Sequence, residues 1–457
     1  MFKVIVYFAV ALTAISMLLA DPKEGPAALL MVLIVSGLSL FIFRRYTDEK
    51  EFITYIFLSA LCVRLIFGII VHIYDMRVFT GGDAIGYDLG ATLFIDYWQG
   101  NVDPSNPELI RLMSLRGAGW GMRYLVAVIY VVFDRNIFVA QSFCGVIGAA
   151  TVPLTYFCTE QIFHNKRVAR TAAICIAFFP AFIIWSSQLL KDGLIVFLLV
   201  LIVILVIQLQ KQFTWTGLLI LSLSLFGILS LRFYIFYVAV VMVAGSFFIG
   251  LSNSIGSVIQ RTAILLLVAG VLVYLGVLQT TTADLETYGS LERAQMSRGS
   301  LADTGDSGFG RDEDISTVRG ALAALPKGFA YLMFAPFPWE VSNLRQSITL
   351  PDVLLWWATM PFLIYGLWYS LKNKLRACLP ILLFTFMLTV SYSIFQGNVG
   401  TAYRQRTQIQ VFLFMFIAVG WGLLRERMED NKTVELNRKR EMAAKLQARL
   451  QQTRQIH

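Results

Sequence analysis

The sequence predicts an all-α, polytopic transmembrane helical bundle of about twelve spans. Composition is the first reason. Of 457 residues, 57% are hydrophobic and 15% are charged. Soluble domains carry roughly 25% charged residues, and a soluble fold of this length lacks the interior to hide so much apolar surface. Spacing is the second. Crossing about 30 Å of hydrocarbon takes about 20 apolar residues as a helix, and runs near that size recur along the whole chain. Thirdly, the runs do not alternate apolar and polar residues as membrane-barrel strands do.

The expected spans are 4–20, 27–43, 52–73, 137–160, 168–186, 190–209, 215–231, 233–250, 262–279, 351–371, 378–395 and 408–424. The first run, with Lys3 before it and Ala20 near its end, has features of a signal peptide. The next run follows so closely that a retained helix is the better reading. Lys and Arg in short connections mark the cytoplasmic side. Here they are Arg44 and Arg45, then Lys166, Arg167 and Arg170, then Lys211, Arg261, and Lys372, Lys374 and Arg376. The chain divides into a membrane domain, 1–424, and a basic cytoplasmic tail, 425–457. The tail holds nine Lys/Arg and five Asp/Glu, so it has an inward bias, and a helix lying on anionic membrane lipid is one reading of it.

With both termini inside, segments 74–136 and 280–350 are outer loops. The shorter connections 186–193 and 396–407 are outer too. Segment 120–133 is too short to span comfortably and reads as an amphipathic helix on the outer surface.

Several function classes drop out. The net charge of +9 is spread over short connections and the tail, which sets topology and gives no nucleic-acid face. Cys62, Cys144, Cys158, Cys175 and Cys378 lie in or beside apolar runs with no CxxC pair, and read as small buried hydrophobes. His72, His164 and His457 are too scattered for a histidine-based metal site.

The unusual residues gather at the outer boundary. In Gly81-Gly82-Asp83-Ala84-Ile85-Gly86-Tyr87-Asp88, two glycines allow a sharp turn before a carboxylate at the membrane edge. Asp83 is also a good helix cap. In Trp185–Gly193, Lys191 and Asp192 head a span, where charges are costly unless they face water or each other. A snorkelling lysine beside a capping aspartate is the plainer alternative. Arg232 stands alone between two apolar runs on the outer side, against the positive-inside trend, and suits an anionic head group. Finally, Gln396–Arg406 contains Asn398, Arg404 and Arg406 among glycines. It reads as a flexible, donor-rich loop whose guanidinium forks bind phosphate. The loop 280–350 starts polar and mobile and turns aromatic at Phe329–Trp339, where Pro336 and Pro338 bar a regular helix. It reads as a lid or a solvated loop. Together these features make an outer cavity with carboxylates on one wall and arginines on another.

An ordered set of motifs accompanies the acidic first loop. They are Val132-Phe133-Asp134-Arg135-Asn136, then Ile162-Phe163-His164-Asn165-Lys166-Arg167-Val168-Ala169, then Phe179-Pro180. In this order, over roughly residues 50–210, the chain resembles the GT-C superfamily of integral-membrane glycosyltransferases. Within it the likeness is to the bacterial branch of protein O-mannosyltransferases and the lipid A aminoarabinose transferase. The resemblance implies a GT-C-like fold in the bacterial inner membrane, with the site facing the periplasm or exterior. It implies a polyprenyl-phosphate-linked sugar donor and a lipid, glycan or protein acceptor. It places the first-loop acid on Asp83, with Asp88 secondary, as base or as ligand of a divalent metal, Mg or Mn. A departing phosphate needs cationic stabilisation, and Arg404, Arg406, Arg232 and Lys191 are the candidates for that role. Asp192, Asn398 and Tyr87 are further candidates. Where many relatives have adjacent acids, this chain has Asp83-Ala84. Two other classes compete: a polysaccharide polymerase or ligase gripping lipid diphosphate, and a lipid-linked glycan transporter.

Overall fold

A computed structural model describes residues 2–76, 82–113, 119–249, 255–277, 290–303, 307–341 and 344–455. Gly81, His457 and loop residues 280–289, 304–306 and 342–343 lie outside the described residues. The described residues form nineteen α-helices and no strands, with one isolated antiparallel bridge between Gly308 and Asn398.

In chain order the helices are α1 (Phe2–Ala20), α2 (Gly25–Arg45), α3 (Lys50–Ile73), α4 (Asp83–Trp98), α5 (Pro107–Met113), α6 (Trp120–Phe133), α7 (Ile137–Phe163), α8 (Lys166–Phe178), α9 (Pro180–Ser186) and α10 (Asp192–Lys211). They continue as α11 (Trp215–Leu231), α12 (Phe233–Ile249), α13 (Ile255–Tyr274), α14 (Leu291–Asp303), α15 (Val318–Phe334), α16 (Leu344–Ala358), α17 (Met360–Asn373), α18 (Leu375–Phe395) and α19 (Val399–Gln455). Seven are long and apolar enough to cross a bilayer, or nine if each of two bent pairs counts as one span. This is an all-α integral membrane protein. Each of the twelve expected spans overlaps a helix, residues 250 and 278–279 at two span ends lying outside the described residues. Three of them, on α11, α12 and α13, fall on short apolar helices. The 17 residues of α11 or α12 make about 26 Å of helix, near the lower limit for a span.

Local chemistry sets the boundaries. Asn136 caps α7 by accepting from the Val139 amide at 2.9 Å. Asn165 caps α8 through the Arg167 and Val168 amides, and Thr317 caps α15 through Gly320. Such side chains satisfy amides that a helix start leaves orphaned. At the core, α7 is buried nearly all round and packs on α2, α3, α8 and α10. Further out, α17 and α19 cross at backbone contact. A Cβ at Gly366 would sit 1.9 Å from the Phe416 oxygen, and one at Gly420 2.0 Å from the Phe362 oxygen. Small residues permit such approach where water supplies no driving force.

Four expectations change. The span expected at 168–186 is broken: α8 and α9 meet at Phe179-Pro180 with a bend of 59°. Pro180 has no amide to continue the ladder. The span expected at 351–371 is likewise bent by 42°, between α16 and α17. The segment 280–350 is not merely a loop, since α14 and α15 lie in it and α15 packs against α18. Phe329–Phe334 is helical, and the helix stops just before Pro336. Lastly, α19 starts at Val399, so most of the expected flexible loop at 396–407 is the first turns of the last helix, which runs without a break into the tail.

Candidate active site

Four chain segments converge at one end of the bundle. Gly82, with φ of +75°, turns the chain into α4, and Asp83 is the first residue of that helix. Lys191 and Asp192 open α10. Arg232 sits in the extended joint between α11 and α12, where its amide caps α11 through the Ile228 oxygen at 2.7 Å. Arg404 lies in the second turn of α19.

Arg404 is the hub. Its Nη1 meets Asp83 Oδ2 at 2.8 Å, and its Nε and Nη2 both meet Asp192 Oδ2 at 2.6 Å. Arg232 Nη2 donates to the other Asp192 oxygen at 3.0 Å, and Gln408 Nε2 approaches it at 3.4 Å. Trp185 lies under the Arg404 guanidinium, 5.4 Å from its ring centroid. Lys191 comes close to Gly119, where a Cβ would be 2.8 Å from its Nζ.

Burial separates the two acids. The Asp192 side chain is 1% exposed and saturated with donors, whereas that of Asp83 is 41% exposed. Three cations therefore face two carboxylates. Among the described residues, two buried donors at the cluster, Arg232 Nη1 and Trp185 Nε1, have no hydrogen-bond partner. The Lys191 ammonium makes no hydrogen bond or ion pair among the described residues. Burial pushes it down to about 7, with Arg232 adding to the shift and Asp192 and Asp83 opposing it. Orphaned buried donors cost free energy unless a ligand or water meets them. A cluster with one cation in excess and spare N–H groups is a candidate site for an anion.

The expected residues divide. Asp83, Asp192, Lys191, Arg232 and Arg404 come together, and the buried Tyr87 lies beside them, its phenol raised by burial and by Asp83. Lys191 is buried with the whole stretch from Ser186 to Gly193, so it does not snorkel. Asp88, Arg406 and Asn398 are not brought to the cluster. Asp88 pairs with Arg135 (2.6 Å) and accepts from the Tyr130 hydroxyl (2.7 Å), tying α4 to the end of α6. Five residues on a helix turn about 140° away from Asp83. Arg406, two residues beyond Arg404, faces elsewhere on α19 and donates to the carbonyls of Met333 and Ala335 at 3.0 Å each. Asn398 receives the Thr401 amide at the start of α19. Two contributors were missed, Gln408 and Trp185. Gln408 follows Arg404 by four residues and so shares its helix face, a signal that spacing alone contains.

A metal fits this cluster poorly, because a guanidinium already stands between Asp83 and Asp192. Elsewhere, the fold brings one histidine to two acids: ligand atoms of Asp21, Glu24 and His72 lie within 4.8 Å of one another. His72 and Asp21 are 51 residues apart, so spacing concealed the group. Asp21 is engaged by His72 and by the amides of Lys23 and Glu24, and Glu24 by the Phe138 amide. The group ties the α1–α2 turn to α3 and α7.

No protein-family model matches the chain, and no curated protein matches it in sequence. The chain is similar to several solved structures, these two among them. One is the archaeal oligosaccharyltransferase AglB from Archaeoglobus fulgidus, in complex with an inhibitory peptide and a dolichol-phosphate. It is 15% identical, with 70% of this chain and 43% of that chain covered and a TM-score of 0.42. The other is the Archaeoglobus fulgidus oligosaccharyltransferase in the apo form, 13% identical, with 70% and 44% covered and a TM-score of 0.40. The match takes in less than half the length of those chains. A likeness at this level carries no activity from those proteins to this one.

Proposed function

We propose that this protein is a membrane glycosyltransferase of the GT-C kind its sequence resembles. It binds a polyprenyl-phosphate-linked sugar at the Arg404 cluster and passes the sugar to an acceptor hydroxyl on the non-cytoplasmic face of a bacterial inner membrane. The acceptor is a lipid, glycan or protein of the cell envelope. The observation that carries this reading is the excess of buried cations beside a half-exposed acid.

The chemistry follows from that arrangement. The donor phosphate is gripped by Lys191, Arg232 Nη1 and Arg404. As Arg404 turns to the phosphate, it releases Asp83. The freed carboxylate takes the proton of the acceptor hydroxyl, whose oxygen bonds the anomeric carbon while the bond from that carbon to the phosphate oxygen breaks. The lipid phosphate leaves with its new charge met by the same cations. A positioned base contributes typically 10²–10⁴-fold, and fixed cations aimed at developing charge are usually the largest single effect. Asp192 serves as the counter-ion that holds Arg232 and Arg404 in place. No step here needs a metal, and assays with a chelator test the expected Mg or Mn.

The test is transfer from labelled polyprenyl-phosphate sugars by purified protein, with Asp83→Asn beside wild type. The expected result is a loss of about 10³-fold in rate with donor binding retained. Unchanged transfer in that variant removes Asp83 as base and favours the polymerase or ligase reading, which needs only the phosphate grip.

A further inference from the structure

The bundle contains a second set of buried charges that the transfer chemistry does not use, located where the helix α8–α9 is broken. A continuous helix would pair the Ile176 carbonyl with the amide of residue 180 and the Ala177 carbonyl with that of residue 181. Residue 180 is proline, and the Ala181 amide donates instead to Asp352 Oδ1 at 3.1 Å. Both carbonyls are taken over by Arg64, from inside the α3 span. Its Nη2 donates to the Ile176 oxygen at 3.2 Å and its Nη1 to the Ala177 oxygen at 3.1 Å. A third bond runs from Nη1 to the Ala60 oxygen in its own helix.

The two carbonyls are thus met by one cation, and the Ala181 amide by one anion. The cation stands at the carbonyl end of α8 and the anion at the amide end of α9, each matched to the local helix dipole. An arginine within a span is costly and seldom present without a task.

Both charges lead to the site. Arg64 Nε donates to Ser186 Oγ at 3.0 Å, at the last residue of α9. Ser186 is wedged between α7 and the start of α10. A Cβ at Gly148 would fall 2.5 Å from its Cβ, and one at Gly193 3.0 Å from it. Gly193 follows Asp192 directly, and Trp185 precedes Ser186 directly. On the other side, Asp352 Oδ2 accepts from the Tyr403 hydroxyl at 3.0 Å, and Tyr403 adjoins Arg404.

We propose that Arg64 and Asp352 are positioning residues, which fix the break so that α9 delivers Trp185 and the Lys191–Asp192 turn to Arg404. The inference deepens the reading above and rests on it for its consequence, phosphate affinity, but not for its geometry. The test uses the full chain in detergent micelles, with two readouts. Hydrogen exchange over 180–193 reports the break directly and needs no ligand. Affinity for a polyprenyl phosphodiester reports the site.

Arg64→Gln should speed exchange over 180–193 and weaken the phosphodiester by ten- to a hundredfold, the range that a misplacement of about 1 Å can produce. In a Lys191→Met background, Arg64→Gln should cost little further affinity, because both act on one turn. A merely structural loss would weaken both backgrounds alike. If Arg64→Gln does not fold, Ser186→Ala removes the Nε bond alone and should show the same pattern at smaller size. Asp352→Asn tests the amide side. Unchanged exchange over 180–193 in the folded variants, or equal affinity losses in both backgrounds, overturns the proposal. Faster exchange in a protein whose wild type binds no phosphodiester upholds the positioning role and overturns the function proposed above.

Discussion

Arg404 and Arg406 stand two residues apart on α19, both buried, in surroundings of opposite kind. Arg406 ends on backbone carbonyls at the finish of α15, where the Trp356 and Trp357 indoles cap the neighbouring carbonyls of Met333 and Phe334. Nothing ionic is in excess there, since Asp352 lies near enough to act on Arg406. Arg404 ends on two carboxylates, beside two further cations. The first surrounding is a helix end balanced in charge, although Arg406 Nε and Nη2 make no hydrogen bond there among the described residues; the second is a charge set with one cation over, which the proposed anion would balance. The Asp88–Arg135 pair repeats the lesson between α4 and the end of α6: one acid, one guanidinium and one hydroxyl, closed upon itself. Charge balance over the whole cluster, more than burial or residue type, separates a fastening from a binding site.

The sharpest way to break this comparison is Arg404→Met. It removes the phosphate grip and leaves Asp192 buried with less compensation, and losing one partner of a buried charge pair costs about 2–5 kcal/mol. We expect at least a hundredfold loss of polyprenyl-phosphate affinity by titration with the purified protein, together with a lower melting temperature. Wild-type affinity in this variant would show that the excess charge serves no ligand.

Next in size is a pH effect. Because burial holds Lys191 at about 7, its ammonium is charged below that pH and increasingly neutral above it. A phosphodiester keeps its single charge throughout, so its binding should weaken as pH rises from 6 to 8, by a few-fold to about tenfold, one charge contact being worth up to about 1.4 kcal/mol per tenfold change. Lys191→Met should bind weakly at both values with a flat profile. A wild-type profile that is flat, or that strengthens with pH, would place Lys191 outside the grip.

Much of the candidate cluster is legible in the sequence because charges at the ends of spans are rare in lipid and each needs a reason. Asp83, Lys191, Asp192, Arg232 and Arg404 could all be picked out on that ground. What could not be read was which way each faces. Asp88 and Arg406 have the same residue types, at nearly the same places, as the members of the cluster; only the 3.6-residue turn of α4 and α19 sends them elsewhere. Treating 396–407 as a loop concealed this, since a loop has no faces. Gly397 and Gly400 suggest a loop, but here they admit close packing and a helix start. The broken span was missed for a related reason. Phe179-Pro180 was noted as a motif, but a proline inside an apolar run does not reveal that Arg64 and Asp352, from distant segments, satisfy the break.

The finest discrimination comes from the variants expected to leave affinity alone. Arg406→Met strips the Ala335 carbonyl of its buried donor, while the Met333 carbonyl keeps the Trp356 indole. An unmet buried acceptor costs about 1–3 kcal/mol, so thermal unfolding in detergent should begin several degrees earlier. Folded protein should still bind the phosphodiester within about threefold of wild type, a difference under about 0.7 kcal/mol. Asp88→Asn should behave alike and more mildly, since Arg135 is largely exposed and exposed ion pairs contribute about 0–1 kcal/mol. If either variant instead loses affinity as Arg404→Met does, the division of α19 and α4 into a fastening face and a binding face fails, and the phosphate must reach further along the cavity than the cluster around Arg404.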